Sequence, residues 1–179
     1  MRVLKPSNLP HYTYNDYTHW EGRWELIDGI AHAMAPSPSI QHQRISQKIA
    51  RLLDEALENC PHCQALLPVD WKINQDTIVQ PDHLVICYEP EGQYLTRAPS
   101  VIFEILSAST RNKDEKVKFR LYEMEGVSYY CIVDPERRIV TQFALVHGRY
   151  EKRMDIRADI LVFRLAECEF RFDSARIWE

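Results

Sequence analysis

PSVIFEILSASTRNKDEKVKFRLYEMEGVSYYCIVD, residues 99–134, reads as strand, helix and strand in immediate succession. In the first run Val101, Phe103 and Ile105 share one face of an extended chain, and Ile102, Glu104 and Leu106 share the other. Both faces are apolar, so Glu104 is buried whichever side meets the core. Asn112, with Glu115 three residues on, predicts a capping box. The helix it opens places Val117, Leu121 and Met124 on one face and ends at Gly126, the expected C′ position. VSYYCIVD then returns as a strand.

Upstream, WELIDGIAHAM alternates around Asp28-Gly29, a strong hairpin signal, and APSPS at 35–39 breaks structure. In the segment after it, Ile45, Ile49, Leu52, Leu53 and Ala56 form one face of a long amphipathic helix. CQALLPVDWKIN and TIVQPDHLVICYE predict two strands joined at Asn74-Gln75-Asp76. Downstream, RIVTQFALV and RYEKRM predict a meander turning at His147-Gly148, and LVFRL and CEFRFD two short late strands. The core order is helix, three strands, helix, strand. This predicts an α/β fold with one central mixed sheet flanked by helices and extra terminal strands. The expected organisation is one domain over 1–179, with an N-terminal extension (1–23) that drapes over the core, a core (24–150) and C-terminal strands (151–179).

A 179-residue chain with 45% hydrophobic and 27% charged residues fits one well-buried domain, and no apolar run is long enough for a membrane span. No charged segment followed by an apolar one opens the chain, which predicts a cytoplasmic protein. The net charge of −4 argues against binding nucleic acid by bulk electrostatics. It leaves room for a local basic groove, and Arg111, Lys113, Lys116, Lys118 and Arg120 fall in one ten-residue segment that otherwise reads as a solvated helix face. Five cysteines at irregular spacing predict reduced thiols. CPHC at 60–63 invites a zinc reading, but a structural site needs four ligands and no second pair lies at suitable spacing; Cys87, Cys131 and Cys168 read as core packing.

Asp82 follows Pro81 and shares its strand face with Leu84 and Ile86. Unpaired buried carboxylates are costly, so Asp82 and Glu104 must protonate, pair or bind a cation. Two such acids on neighbouring strands point to a shared Mg²⁺ or Mn²⁺, for which oxygen ligands are suited. The alternative is that arginines or backbone amides satisfy each acid separately.

WELIDG, SPSIQH, QPD, PSVIFEILSASTR and KDEKVKFRLYEMEGVSYYCIVDPE, taken together, resemble the Uma2 family of restriction endonucleases, part of the PD-(D/E)XK nuclease superfamily. The resemblance runs from about Tyr12 to Tyr150. It implies a restriction-endonuclease-like αβββαβ core, a metal-dependent endonuclease acting on DNA, and Asp82 and Glu104 as ligands of Mg²⁺ or Mn²⁺, with the carbonyl of Ile105 beside them. Leu106 stands where the superfamily has its lysine; the resemblance implies that Lys118, on the following helix, replaces it, with Lys116 as the fallback. Glu25 matches an additional catalytic acid. Arg111, Lys113, Arg120 and His42 are the expected nucleic-acid contacts, His42 being open also to a packing role, and Asp114 is expected to support the helix N-terminus. The missing lysine leaves a second reading, a nuclease-fold module that binds DNA or protein without chemistry. Exposed strands and the aromatic N-terminal segment make a homodimer a further expectation.

Overall fold

The computed structural model describes residues 10–34, 38–157 and 159–179. Residues 1–9 of the expected N-terminal drape and Ala35–Ser37 of the expected break lie outside these. A short helix, α1 (Tyr14–Tyr17), precedes the hairpin of β1 (Trp24–Ile27) and β2 (Ile30–Ala33). Ile27 faces Ile30, so the loop is two residues, and Asp28 (φ 50°) and Gly29 (φ 74°) adopt the left-handed backbone that such a turn demands. The long helix α2 (Ile40–Ala56) starts at Ser39, whose hydroxyl accepts the His42 N–H at 3.1 Å. It buries Ile45, Ile49, Leu52 and Leu53, the expected face.

The next two expected strands each divide. The first becomes β3 (Gln64–Leu66) and β4 (Trp71–Lys72); the second becomes β5 (Ile78–Val79) and β6 (His83–Ile86). Pro68 and Pro81 sit at the two breaks, where a residue without an N–H ends a ladder. The inner pieces, β4 and β5, pair with each other and join the hairpin in a four-stranded sheet of order β2-β1-β5-β4. The outer pieces enter the main sheet. The chain thus changes sheets at Pro81, and Asp82 stands at the corner.

The main sheet is completed by β7 (Val101–Ile105), β8 (Tyr129–Asp134), β9 (Ile139–Val146) and β10 (Arg149–Ile156), in the order β10-β9-β8-β7-β6-β3. β7 and β8 run parallel, and the other neighbours are antiparallel. The turn into β10 is His147-Gly148, as expected, with φ of 49° and 77°. A parallel pair needs a crossover. Here it is a π-helical segment, Lys113–Lys118, continued by α3 (Phe119–Met124). The helix ends at Gly126 (φ 81°), where the Gly126 and Val127 N–H groups reach back to the carbonyls of Glu123 and Tyr122. The order α2, β3, β6, β7, crossover helix, β8 is the αβββαβ core.

Two expectations for the crossover helix are corrected. Asn112 is already helical and its side chain caps nothing; instead Ser107 and Thr110 exchange hydroxyl–amide hydrogen bonds one turn earlier. Val117 and Met124 are exposed, and the buried face is Asp114, Lys118, Leu121 and Tyr122. The wider π turn rotates the helix relative to a 3.6-residue period, so the polar residues come to face the sheet.

Each face of the sheet is covered. Val85, Val101, Phe103 and Ile105 pack under α2 and under the hairpin of β11 (Ile160–Arg164) and β12 (Glu169–Asp173), which contributes Phe163, Phe170 and Phe172. Leu84, Ile86, Ile102 and Leu106 pack on the other side with Ile27, Trp71, Leu121 and Tyr122. Among the described residues no helix is long and apolar enough to cross a membrane.

The expectation of isolated reduced thiols is also corrected. Cys60 is joined to Cys168 and Cys63 to Cys87, across 108 and 24 residues of sequence, while Cys131 is free and buried. Sequence spacing concealed this proximity, because β6 and the β11–β12 hairpin bring the distant cysteines to CPHC only after folding.

Candidate functional site

Glu104 lies on the same face of β7 as Ile102 and Leu106, and β6 pairs with β7 so that His83 opposes Phe103. One more step along this register brings Asp82 alongside Glu104. The Asp82 N–H donates to Glu104 Oε2 at 3.4 Å, and the Ile105 N–H donates to Asp82 Oδ2 at 2.8 Å. Asp82 Oδ2 also lies 3.3 Å from His42 Nε2, on the first turn of α2. The two acids therefore meet at the corner where the chain changes sheets.

Three further groups converge from other elements. Lys118 is buried; its ammonium donates to Glu104 Oε1 at 2.8 Å, pairs with Glu25 Oε1 at 2.7 Å and lies 3.7 Å from Asp114 Oδ1. Glu25, on β1 and fully buried, also takes Lys113 Nζ at 2.5 Å and the Gln80 N–H at 3.0 Å. Tyr122 donates its hydroxyl to Glu104 Oε1 at 2.8 Å and stacks on the buried Trp71. Asp114, Lys118 and Tyr122 are spaced by four residues, and the helix turns all three toward the sheet.

Four carboxylates, from Glu25, Asp82, Glu104 and Asp114, thus surround two ammonium groups, Lys113 and Lys118, and ionising all four would leave two negative charges in excess. The protonation balance follows. Burial pushes Glu104 well above the usual carboxylate range, assisted by the charges of Asp114, Asp82 and Glu25 and opposed by Lys118. Burial likewise raises Asp114. For Glu25 burial opposes ionisation, yet the Lys118 and Lys113 charges outweigh it and hold the acid below its ordinary value. Asp82 is also held low: burial again opposes, and His42, the Ile105 amide and Lys118 prevail. The buried ammonium of Lys118 is raised, because Glu104, Glu25 and Asp114 overcome its loss of water. Beside the site His83 is buried against Ser46, and desolvation lowers its pKa to about 4, so its ring is neutral at physiological pH.

Of the residues singled out in the sequence, Asp82, Glu104, Lys118, Glu25, Lys113 and His42 are brought together. Arg120 is exposed on the helix. Arg111, partly exposed, donates to Asp134 at 3.0 Å and to Glu115 and Glu136 at 3.4 Å, so three carboxylates surround the group expected to meet phosphate. Asp114 stands in the first turn of the helix and also faces Lys118 at 3.7 Å. Tyr122, four residues beyond Lys118 on the same helix face, is a further partner of Glu104.

Asp134 offers a pH test of this surround. Its Oδ1 accepts the Glu136 and Arg137 amides at 3.1 and 3.2 Å, and Arg111 and these amides hold its pKa low against partial burial. A depressed folded pKa gives stability that is present above the unfolded value and lost as pH falls through the folded one. Asp134→Asn is expected to cost about 1 kcal/mol near pH 7, a figure reduced for solvent screening at the partly exposed Arg111, and little at a pH low enough to protonate Asp134 in the folded protein. Urea denaturation of both proteins at the two pH values checks this.

The oxygen-rich donor set fits a hard divalent cation, whose charge would favour the ionised forms of Glu104 and Asp114 that burial opposes. As they stand, no three of these side chains form a finished coordination shell among the described residues. Lys118 occupies the centre of the cluster.

Comparison with known proteins identifies the family and the fold. The model of the Uma2 family, described as "Putative restriction endonuclease", matches residues 13–159. The chain is similar in structure to a protein from Anabaena variabilis ATCC 29413 described as "a putative nuclease belonging to DUF820", with a TM-score of 0.72 at 15% identity, covering 93% of this chain and 97% of that one. No curated protein matches. Four-fifths of the chain, the paired acids and the crossover helix included, fall within the matched range: the chain belongs to the Uma2 family.

Proposed function

We propose that the protein is a metal-dependent endonuclease that hydrolyses DNA phosphodiester bonds. The observation that carries this reading is the meeting of Asp82 and Glu104 beside the ammonium of Lys118. Asp82, Glu104 and the Ile105 carbonyl would hold Mg²⁺ or Mn²⁺. When bound, the ion supplies Lewis acidity, making a water nucleophilic at neutral pH and neutralising charge that builds on the scissile phosphate.

The chain's own residues perform the remaining work. The Ile105 amide and His42 both engage Asp82 Oδ2, which orients this carboxylate and leaves Oδ1 for the cation. Tyr122 and Lys118 fix Glu104 in the same way through Oε1. Lys118, whose ammonium lies between Glu104 and Glu25, would donate to a phosphate oxygen or orient the attacking water. Glu25 keeps Lys118 charged throughout. Arg120, exposed on the same helix, is left for flanking phosphates, which position a nucleic acid without reading its sequence. Two copies would be needed to cut both strands at once, and the exposed β10 edge is the expected place for them to pair.

The test is cleavage of plasmid, linear and single-stranded DNA with Mg²⁺ or Mn²⁺, wild type beside Asp82→Ala. The variant is expected to fall below about 1% of wild-type cleavage. Cleavage that survives the substitution contradicts the assignment of the site.

The central position of Lys118 favours a second reading, a nuclease fold whose acids are neutralised internally and which binds without cutting. That reading predicts DNA association independent of divalent ions, with substrate left intact.

A further inference from the structure

Four cysteines from three separate segments meet at one end of the sheet. Cys60 follows α2, its N–H donating to the Leu57 carbonyl at 2.8 Å, and the Cys63 N–H returns to the Cys60 carbonyl at 2.9 Å. This tight turn sets two thiol-bearing residues at C-x-x-C spacing. Gln64 pairs with Ile86, so the next position along that register brings Cys63 opposite Cys87. Cys168 comes from the loop between β11 and β12, where its carbonyl accepts the Leu165 N–H at 2.9 Å. Cα separations are 5.8 Å for Cys60–Cys168 and 4.0 Å for Cys63–Cys87. Cys60 and Cys63 are buried in the apolar cluster under α2, and Cys87 and Cys168 pack against it.

Paired as two disulfides, these sulfurs leave no metal site. Reduced, they are four thiols on three segments of one apolar cluster, the two pairs linked through the Cys60–Cys63 turn. Four soft sulfur donors, two of them on a C-x-x-C turn, match the donor set of a closed tetrahedral zinc site. We propose that Cys60, Cys63, Cys87 and Cys168 form a tetrathiolate zinc site in the reduced protein. Each disulfide takes two electrons and two protons from a dithiol reductant to give two thiols, and Zn²⁺ displaces the thiol protons to solvent on binding. The ion would fasten the end of α2, the end of β6 and the β11–β12 hairpin together, as the disulfides do in the oxidised form. The sulfur cluster is separate from the carboxylate site, and the inference stands or falls without the nuclease reading.

The test uses the full chain, purified with reductant and without chelator, assayed for zinc, iron and reactive thiols. About one zinc per chain is expected, falling below about a fifth of that in Cys87→Ser and unchanged in Cys131→Ser and in Asp82→Ala. Cobalt added to reduced wild-type protein is expected to give the intense visible bands of tetrahedral cobalt–thiolate, a readout that needs no variant. Five reactive thiols with no zinc in the reduced wild type, iron in place of zinc, or zinc retained by Cys87→Ser each overturns the proposal.

Discussion

Lys118→Met is expected to lower the unfolding free energy by about 3–5 kcal/mol, the range for breaking a buried ion pair by removing one partner. Lys118 is 2% exposed and stands within 4 Å of Glu25, Glu104 and Asp114, so its removal leaves three buried carboxylates with only Lys113, itself held by Glu25, to neutralise them. Methionine fills the space of the alkyl chain, so the loss measures charge more than packing. Urea denaturation near neutral pH gives the figure. If the site accepts a divalent cation, millimolar Mn²⁺ is expected to restore more stability to Lys118→Met than it adds to wild type, because the ion replaces the missing positive charge. A loss under about 1 kcal/mol would mean that the three acids do not depend on this ammonium.

Glu104→Gln separates fold from function more sharply. The amide is nearly isosteric with the carboxyl group, can still accept from the Tyr122 hydroxyl and the Lys118 ammonium, and removes a buried charge that burial already disfavours. Stability is expected to change by no more than about 1–2 kcal/mol in either direction. Mn²⁺ binding followed calorimetrically, and DNA cleavage, are both expected to disappear into background, a loss of at least about a hundredfold. A variant that is unfolded would show the carboxylate to be structural. One that is folded and binds Mn²⁺ as wild type does would exclude Glu104 from the site.

Much of this arrangement was legible in residues 99–134. The alternation of PSVIFEILS forced Glu104 into the interior, and β7 does bury it on the face with Ile102 and Leu106. The α2 face and both glycine turns were equally direct, because periodicity and positive φ leave local marks in sequence. Other features depended on contacts that a linear reading does not contain. Neither Pro68 nor Pro81 marks in sequence that the chain passes to a second sheet there. The π turn at 113–118 moved Val117 and Met124 out and Asp114 and Lys118 in, against the simple helical period. The sulfur cluster was hidden for a similar reason: Cys87 and Cys168 reach CPHC through strand pairing, and no spacing rule reports that.

Glu25 and Arg111 show how far charge alone can be read. Each looked ambiguous as a single residue, and the partners decided the outcome: two lysines drew Glu25 into the buried cluster, and three acids surrounded Arg111.

The most direct test of the proposed cation site is a crystal of the protein soaked in manganese and measured for anomalous scattering. The account predicts a manganese peak touching carboxylate oxygens of both Asp82 and Glu104, with the Lys118 ammonium released from Glu104. Manganese absent from that position at saturating concentration, with Lys118 still bridging Glu25 and Glu104, would contradict it.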